Sequence, residues 1–179
     1  PDKSYYEDEG AKKRMMDPLE KAFKEALQKL GYSEKNSEKI VKEALEFDGE
    51  LAKYAQSNEE TSEIKNLHHP KTAEDINAYS DTFKFHDIIN DYLGQESGDV
   101  NVPNPKYYEN FAKVVNDKNF GKLKSWILVK QAASASSFLT DDYRLIFAEY
   151  QKSLQGNKEA TSKEDAAYNL TTGTFSDVF

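Results

Sequence analysis

The sequence contains no cysteine, which removes disulfides, thiolate nucleophiles and cysteine-based zinc sites together and is compatible with a cytoplasmic setting. Histidine is scarce too, with His68, His69 and His86 as the whole stock. None of them stands in a His-Glu-x-x-His string, where a four-residue step puts two imidazoles on one helix face beside a glutamate. Glycine (8) and proline (5) are few and fall at apparent element ends, which favours helices over a turn-rich β fold. No apolar run reaches the roughly 18 residues that a spanning helix needs, and no signal-peptide pattern opens the chain. Positive charge is in deficit, with 24 Lys and Arg against 32 Asp and Glu for a formal net charge of -8. The basic residues are interleaved with acidic ones, so nucleic acid is a poor partner. A glycine-rich phosphate loop and a nucleophile elbow are also missing.

What is present points to one helical domain. The 179 residues are 37% hydrophobic and 12% aromatic, enough to bury a core despite the 31% that are charged. The expected class is all-α, a multi-helix bundle with one long central helix and at most a very short strand. Residues 123–154 supply the central helix: about nine turns without Pro or Gly, apolar or small on almost every face from Trp126 to Leu139. Such a rod needs neighbours on several sides, with Ala132, Ala133, Ser134, Ala135, Ser136 and Ser137 as a thin waist.

Ahead of the rod, residues 1–10 read as an extended acidic lead-in whose Tyr5 and Tyr6 dock on the bundle. Met15, Met16, Leu19, Phe23, Ala26, Leu27 and Leu30 step by three and four along one helix face that ends at Gly31. Pro18 either starts that helix behind an Asp17 cap or kinks one begun near Ala11, and the kinked helix is preferred. Residues 33–56 form a second amphipathic helix with Ile40, Ala44, Phe47, Leu51 and Tyr54 inward, and Gly49 permits a close crossing. Thr72 with Asp75 caps a short helix. Another runs from Phe83 to Leu93 and stops at Gly94, and residues 98–102 alternate like a brief strand. Asn104-Pro105 opens a helix carrying Tyr108, Phe111, Ala112 and Val115 inward. After the rod ends at Gln155-Gly156, a polar loop over 157–162 leads to a last helix from Lys163, with Tyr168, Phe175, Val178 and Phe179 available for packing. A start at Pro1 and a stop at Phe179 read as cuts in a longer protein. A 34-residue repeat is lacking, which disfavours a tetratricopeptide-type solenoid.

The chemistry-bearing residues do not assemble into a site by sequence alone. His68-His69 reads as a polar turn before a capped helix, and His86-Asp87 as a surface pair. Glu7, Asp8 and Glu9, then Glu59-Glu60, then Asp141-Asp142, read as solvated charge, because spacing cannot set two carboxylates across a cleft. Asn169-Leu170-Thr171 matches a glycosylation sequon of a length that arises by chance. The Tyr and Phe stripe reads as core. No catalytic and no metal-binding residue is assigned, and the substrate-binding residues are unknown.

Several local strings, in order, resemble the helical N-terminal region of the neprilysin and endothelin-converting-enzyme family of zinc metallopeptidases, especially its bacterial oligoendopeptidase members. They are Pro1-Asp2-Lys3-Ser4-Tyr5-Tyr6, Phe47-Asp48-Gly49-Glu50-Leu51-Ala52, and His69-Pro70-Lys71-Thr72 with Asp75-Ile76. Val100-Asn101-Val102 with Pro105-Lys106-Tyr107-Tyr108 follows, then Leu123-Lys124-Ser125-Trp126 and Leu154-Gln155-Gly156. The likeness covers nearly the whole chain. Two departures stand out: His68-His69 replaces the family's usual Tyr-Asn, and the Trp-x-x-Cys expected near residues 163–166 is missing.

The resemblance implies a two-lobed parent whose larger C-terminal lobe holds zinc on a His-Glu-x-x-His helix and a downstream Glu. The helical part seen here would cap that site and limit substrates to oligopeptides, its partners being those peptides and the C-terminal catalytic lobe. The chain would be inactive alone and hold no cofactor. No catalytic residue carries over, and the family's cavity arginines fall upstream of Pro1. In such an enzyme Asp141, Asp142 and Arg144 would face the cavity. A bacterial cytoplasmic location is expected. The rival reading is a non-catalytic helical protein-interaction module, and a third is a metal-binding protein using the His68-His69 turn.

Overall fold

Apolar residues stepping by three and four, closed at several ends by a capping side chain and at two by a left-handed glycine, produce helices along almost the whole chain. The computed structural model describes residues 3–155 and 160–176. Pro1, Asp2, Gly156, residues 157–159, Val178 and Phe179, on which some expectations fell, lie outside the described residues. A short turn, α1 (Ser4–Glu7), and α2 (Glu9–Ala11) lead through a π-helical turn at Lys12–Met16 into α3 (Asp17–Lys29) and then α4 (Glu34–Ala52). Next come α5 (Asn58–Ser62), a 3-10 turn (Ile64–Leu67), β1 (Pro70–Lys71), α6 (Ala73–Asn77), α7 (Phe85–Leu93) and β2 (Val100–Asn101). The second half runs through α8 (Pro105–Val114), α9 (Phe120–Ser134), α10 (Asp141–Ile146), α11 (Ala148–Gln155) and α12 (Lys163–Thr174).

The kinked helix at Pro18 is borne out, and the kink has a visible cause. Proline lacks an amide hydrogen and its ring crowds the carbonyl four residues back, so the turn before it widens to π geometry at Lys12–Met16. Beyond it, Leu19, Phe23, Ala26 and Leu27 are buried. Gly31, at φ 96, closes α3 in a Schellman arrangement: the Gly31 amide donates to the Gln28 carbonyl at 2.9 Å and the Tyr32 amide to the Leu27 carbonyl at 3.1 Å. Leu30, expected inward, is 48% exposed because it sits on the turn itself.

The core lies where α3, α4 and α9 meet, closed from one side by α10 and α11. Phe23 and Leu27 pack with Val41, Ala44, Val129, Tyr143 and Phe147, Phe23 meeting Phe147 edge-on at 6.1 Å between centroids. Each of the larger ones, such as Phe23, Leu27 and Val41, contributes roughly 1.5–3 kcal/mol by its burial. In α4 the buried line is Ser37, Val41, Ala44, Phe47, Asp48 and Ala52. The expected inward face is therefore rotated slightly, leaving Ile40, Leu51 and Tyr54 half-buried.

The long rod is corrected. It breaks into α9, a 3-10 turn at Ala135–Phe138, an extended Leu139 (φ -94, ψ -161), then α10 and α11. The serine-rich waist is where the helix tightens and unwinds, since serine hydroxyls compete for backbone groups. Thr140-Asp141-Asp142 is a helix start, with extended Thr140 (ψ 155) and two carboxylates in the first turn. Nor is the rod covered all round. Ser125, Val129 and Ala132 form its buried line, while Phe120, Ile127, Phe138 and Leu139 are exposed.

Other expectations fare variously. The lead-in is a helical turn rather than extended chain. Thr72 and Asp75 form a reciprocal capping box, and the Asn104 side chain accepts from the Tyr107 amide at 3.2 Å. The strand at 100–101 finds an unforeseen antiparallel partner, Pro70 opposite Asn101 and Lys71 opposite Val100. Tyr108 and Phe111 are half-buried and join Phe83, Phe85 and Tyr107 in an aromatic cluster. Tyr168 and Phe175, expected to pack, are 69% and 54% exposed.

Candidate functional site

Charge enters the interior of the bundle at Asp48, which lies on the inward face of α4 and is only 8% exposed. One carboxylate oxygen accepts from the Trp126 indole N–H of α9 at 2.6 Å, with the Lys130 ammonium at 3.5 Å from the same oxygen. The other accepts from the Tyr6 hydroxyl of α1 at 2.6 Å. Burial by itself pushes this carboxyl up, but the positive charge and donors around it, Trp126, Tyr6 and Lys130 among them, hold it below its usual range. Burial, and then the Asp48 charge, push the Tyr6 phenol well above its ordinary value. Sequence reasoning missed Asp48. Two signals pointed to it: an acid beside Phe47 on an apolar helix face, and a lone tryptophan whose N–H needs an acceptor when buried.

Beside this cluster, α1, α3 and α4 bound a groove of about 780 Å³. Its floor includes Tyr6, Met16, Leu45, Gly49 and Ala52, and its rims carry Glu20, Lys24, Glu46, Glu50, Lys53 and Lys122. The rim charges pair with each other, Lys24–Glu20, Lys122–Glu46 and Lys53–Glu50 each at 2.7 Å. Lys122 holds the Glu46 carboxyl below its usual range through their hydrogen bond. A second recess of about 540 Å³ lies among the end of α9, α11 and α12 and is lined by Ser134, Ser136, Ser137, Arg144, Gln151 and Asn169. Neither groove presents an activated nucleophile or a general base set against a reactive partner.

The histidines do not come together. His86, expected at the surface, is 4% exposed. Its amide donates to Asn77 Oδ1 at 2.9 Å, its Nδ1 meets the Asn90 side-chain amide at 3.3 Å, and its Nε2 lies 3.2 Å from Ser97 Oγ. It therefore pins the loop after α7 back onto that helix. His68 is exposed, and where a polar turn was expected His68 and His69 form extended chain that leads into β1, held to β2 by a 2.7 Å hydrogen bond from the His69 amide to Asn101 Oδ1. Glu60 completes a capping box and receives Lys3 at 2.5 Å. Asp142 pairs with Lys29 of α3, and that hydrogen bond, with one from Thr140, brings its carboxyl down to about 2. Arg144 is fixed by Asp141, 2.9 Å from its Nε, and by the Thr161 carbonyl at 2.9 Å. Among the described residues no three His, Asp or Glu side chains are grouped to hold a metal, so these residues do not fit a zinc ion. None of the described helices is long and apolar enough to cross a membrane.

Comparison with known proteins supplies what the geometry does not. The chain is 31% identical over 176 residues to a putative zinc metalloproteinase encoded in the scaA 5′ region of Streptococcus gordonii, covering 98% of this chain and 31% of that protein. It is 32% identical over 179 residues to the neutral endopeptidase of Lactococcus lactis subsp. cremoris, covering 99% of this chain and 28% of that one. Its fold matches PepO from Lactobacillus rhamnosis with a TM-score of 0.80 at 22% identity, over 99% of this chain and 28% of that chain. It matches the zinc metalloprotease Zmp1 of Mycobacterium tuberculosis with a TM-score of 0.77 at 19% identity, over 99% and 28%. The chain thus spans under a third of the relatives it matches. A family model described as Peptidase family M13 matches residues 1–179, and on that match, end to end, the chain belongs to the M13 peptidases, as its resemblance to the neprilysin family implied.

Proposed function

We propose that this chain is the helical cap of a neprilysin-like zinc metalloendopeptidase that hydrolyses oligopeptides. The observation that carries the reading is the match of residues 1–179 to the M13 family in a chain that spans only 28% to 31% of its relatives. The zinc, the general base and the bound water belong to a lobe beyond this chain, and the helices limit which substrates reach them. The contribution of these residues is shape and charge: rigid helices around α4 and α9, ion-paired rims, and apolar side chains held out for the rest of the protein. The parent is placed in the bacterial cytoplasm, and the chain is inactive by itself. The test compares the parent protein with residues 1–179 on an oligopeptide substrate. Hydrolysis by the parent that a chelator abolishes, and none by residues 1–179, is the expected result. A parent reading frame without His-Glu-x-x-His downstream of Phe179 overturns it in favour of a non-catalytic interaction module.

A further inference from the structure

The α1 turn is joined to the bundle as a separate piece. It is four residues long, far below the length at which a helix is stable by itself. It is set off from α3 at two places, an extended Asp8 (φ -107, ψ 120) and the π-helical turn at Lys12–Met16. Asp8 is a point where the chain can re-aim without disturbing the regular hydrogen-bond ladder of α3, while the π turn stays anchored by its buried Met15 and Met16.

Its position is set from outside. The Tyr6 ring lies across Gly49 of α4 so closely that a Cβ at that glycine would stand 3.3 Å from two ring carbons. The Tyr6 hydroxyl reaches over this notch to Asp48 Oδ2 at 2.6 Å. The catch is also held from the bundle side, where Asp48 Oδ1 accepts from the Trp126 indole at 2.6 Å and lies 3.5 Å from the Lys130 ammonium. Lys3, paired with Glu60, ties down the other end. Lys3, Tyr6 and Glu7 at the same time line the 780 Å³ groove, together with Met16 and Glu50.

We propose that α1 is a strap over the groove between α3 and α4, hinged at Asp8, with Asp48 as the residue that positions it. Opening the Tyr6–Asp48 contact lifts the strap and widens the groove while the three-helix core stays intact. This goes beyond membership of the peptidase family and does not depend on where the zinc is held.

Hydrogen exchange of the 179-residue chain, read over residues 4–12 and separately over α3, α4 and α9, tests it. Tyr6→Phe removes only the hydroxyl and Asp48→Asn keeps the shape of the catch while removing its charge. Both are expected to speed exchange over residues 4–12 by about tenfold or more, the cost of a hydrogen bond to a charged group. The core helices keep their wild-type protection in Tyr6→Phe. Unchanged exchange over residues 4–12 in Tyr6→Phe overturns the proposal. So does an acceleration in Tyr6→Phe that is equal in α3, α4 and α9, because it makes the contact a general stabiliser rather than a catch. Tyr6→Phe removes no buried charge, so it decides the matter even where Asp48→Asn fails to fold.

Discussion

Asp142 shows how one exposed carboxylate can serve as a gauge of packing between two helices. It sits in the first turn of α10 and meets Lys29 in the last turn of α3, and its carboxyl is brought down to about 2, chiefly by that hydrogen bond. The carboxyl is depressed relative to the unfolded value of about 3.9, so the pair's contribution is complete above that value and is lost as pH falls toward 2. Nuclear magnetic resonance titration of the Asp142 carboxyl is expected to give a midpoint near 2. In Lys29→Gln that midpoint returns toward the ordinary range, and raising the salt concentration moves it the same way because the pair is exposed. Sequence reading treated Asp141-Asp142 as solvated charge, and it was right that Asp142 is in water. What it could not supply was Lys29, more than a hundred residues away, which only the packing of α10 on α3 brings near. Asp48 is the same case indoors, with partners 42 and 78 residues away in the chain.

At the scale of the element, the features that were legible are those written within about four residues. The Thr72–Asp75 capping box, the Asn104-Pro105 start, the glycine stops at Gly31 and Gly94 and the proline kink all rest on a local backbone requirement, and all are observed. Gly31→Ala isolates one of these requirements. The residue holds φ 96, and nothing lies within 4 Å of the place an alanine methyl would occupy, so the cost is conformational rather than steric. The substitution is expected to lower stability by about 1 kcal/mol in urea unfolding, with no change in fold. The break after α9 was missed because small residues read equally well as a helix interior and as its end. Whether Ala135 to Phe138 continues the helix depends on Tyr143 and Phe147 reaching the Phe23 side of the core, and that is a tertiary demand.

For the whole molecule, membership of the peptidase family was readable because it is carried by ordered strings along the chain, whereas the grooves and the buried acid are not. The structure keeps several large apolar side chains outside: Ile127 on α9 is 45% exposed, Phe138 68%, and Ile88 and Tyr92 on α7 are 52% and 90%. A chain that spans under a third of its relatives and carries this much apolar surface is expected to self-associate when studied alone. Light scattering on residues 1–179 is expected to show a mass that rises with concentration. The pair Ile127→Lys and Phe138→Ser shifts it toward the monomer, and a mass that is constant for the unsubstituted chain counts against this.

The Tyr6 contact also has an order in time. Its acceptor is oriented by a tryptophan 78 residues further along, so the ring cannot find a finished seat until α4 and α9 have already come together. Closing that long loop is the slow, entropically costly event in assembly. The first helical turn in the sequence therefore locks into place only after α4 and α9 have met.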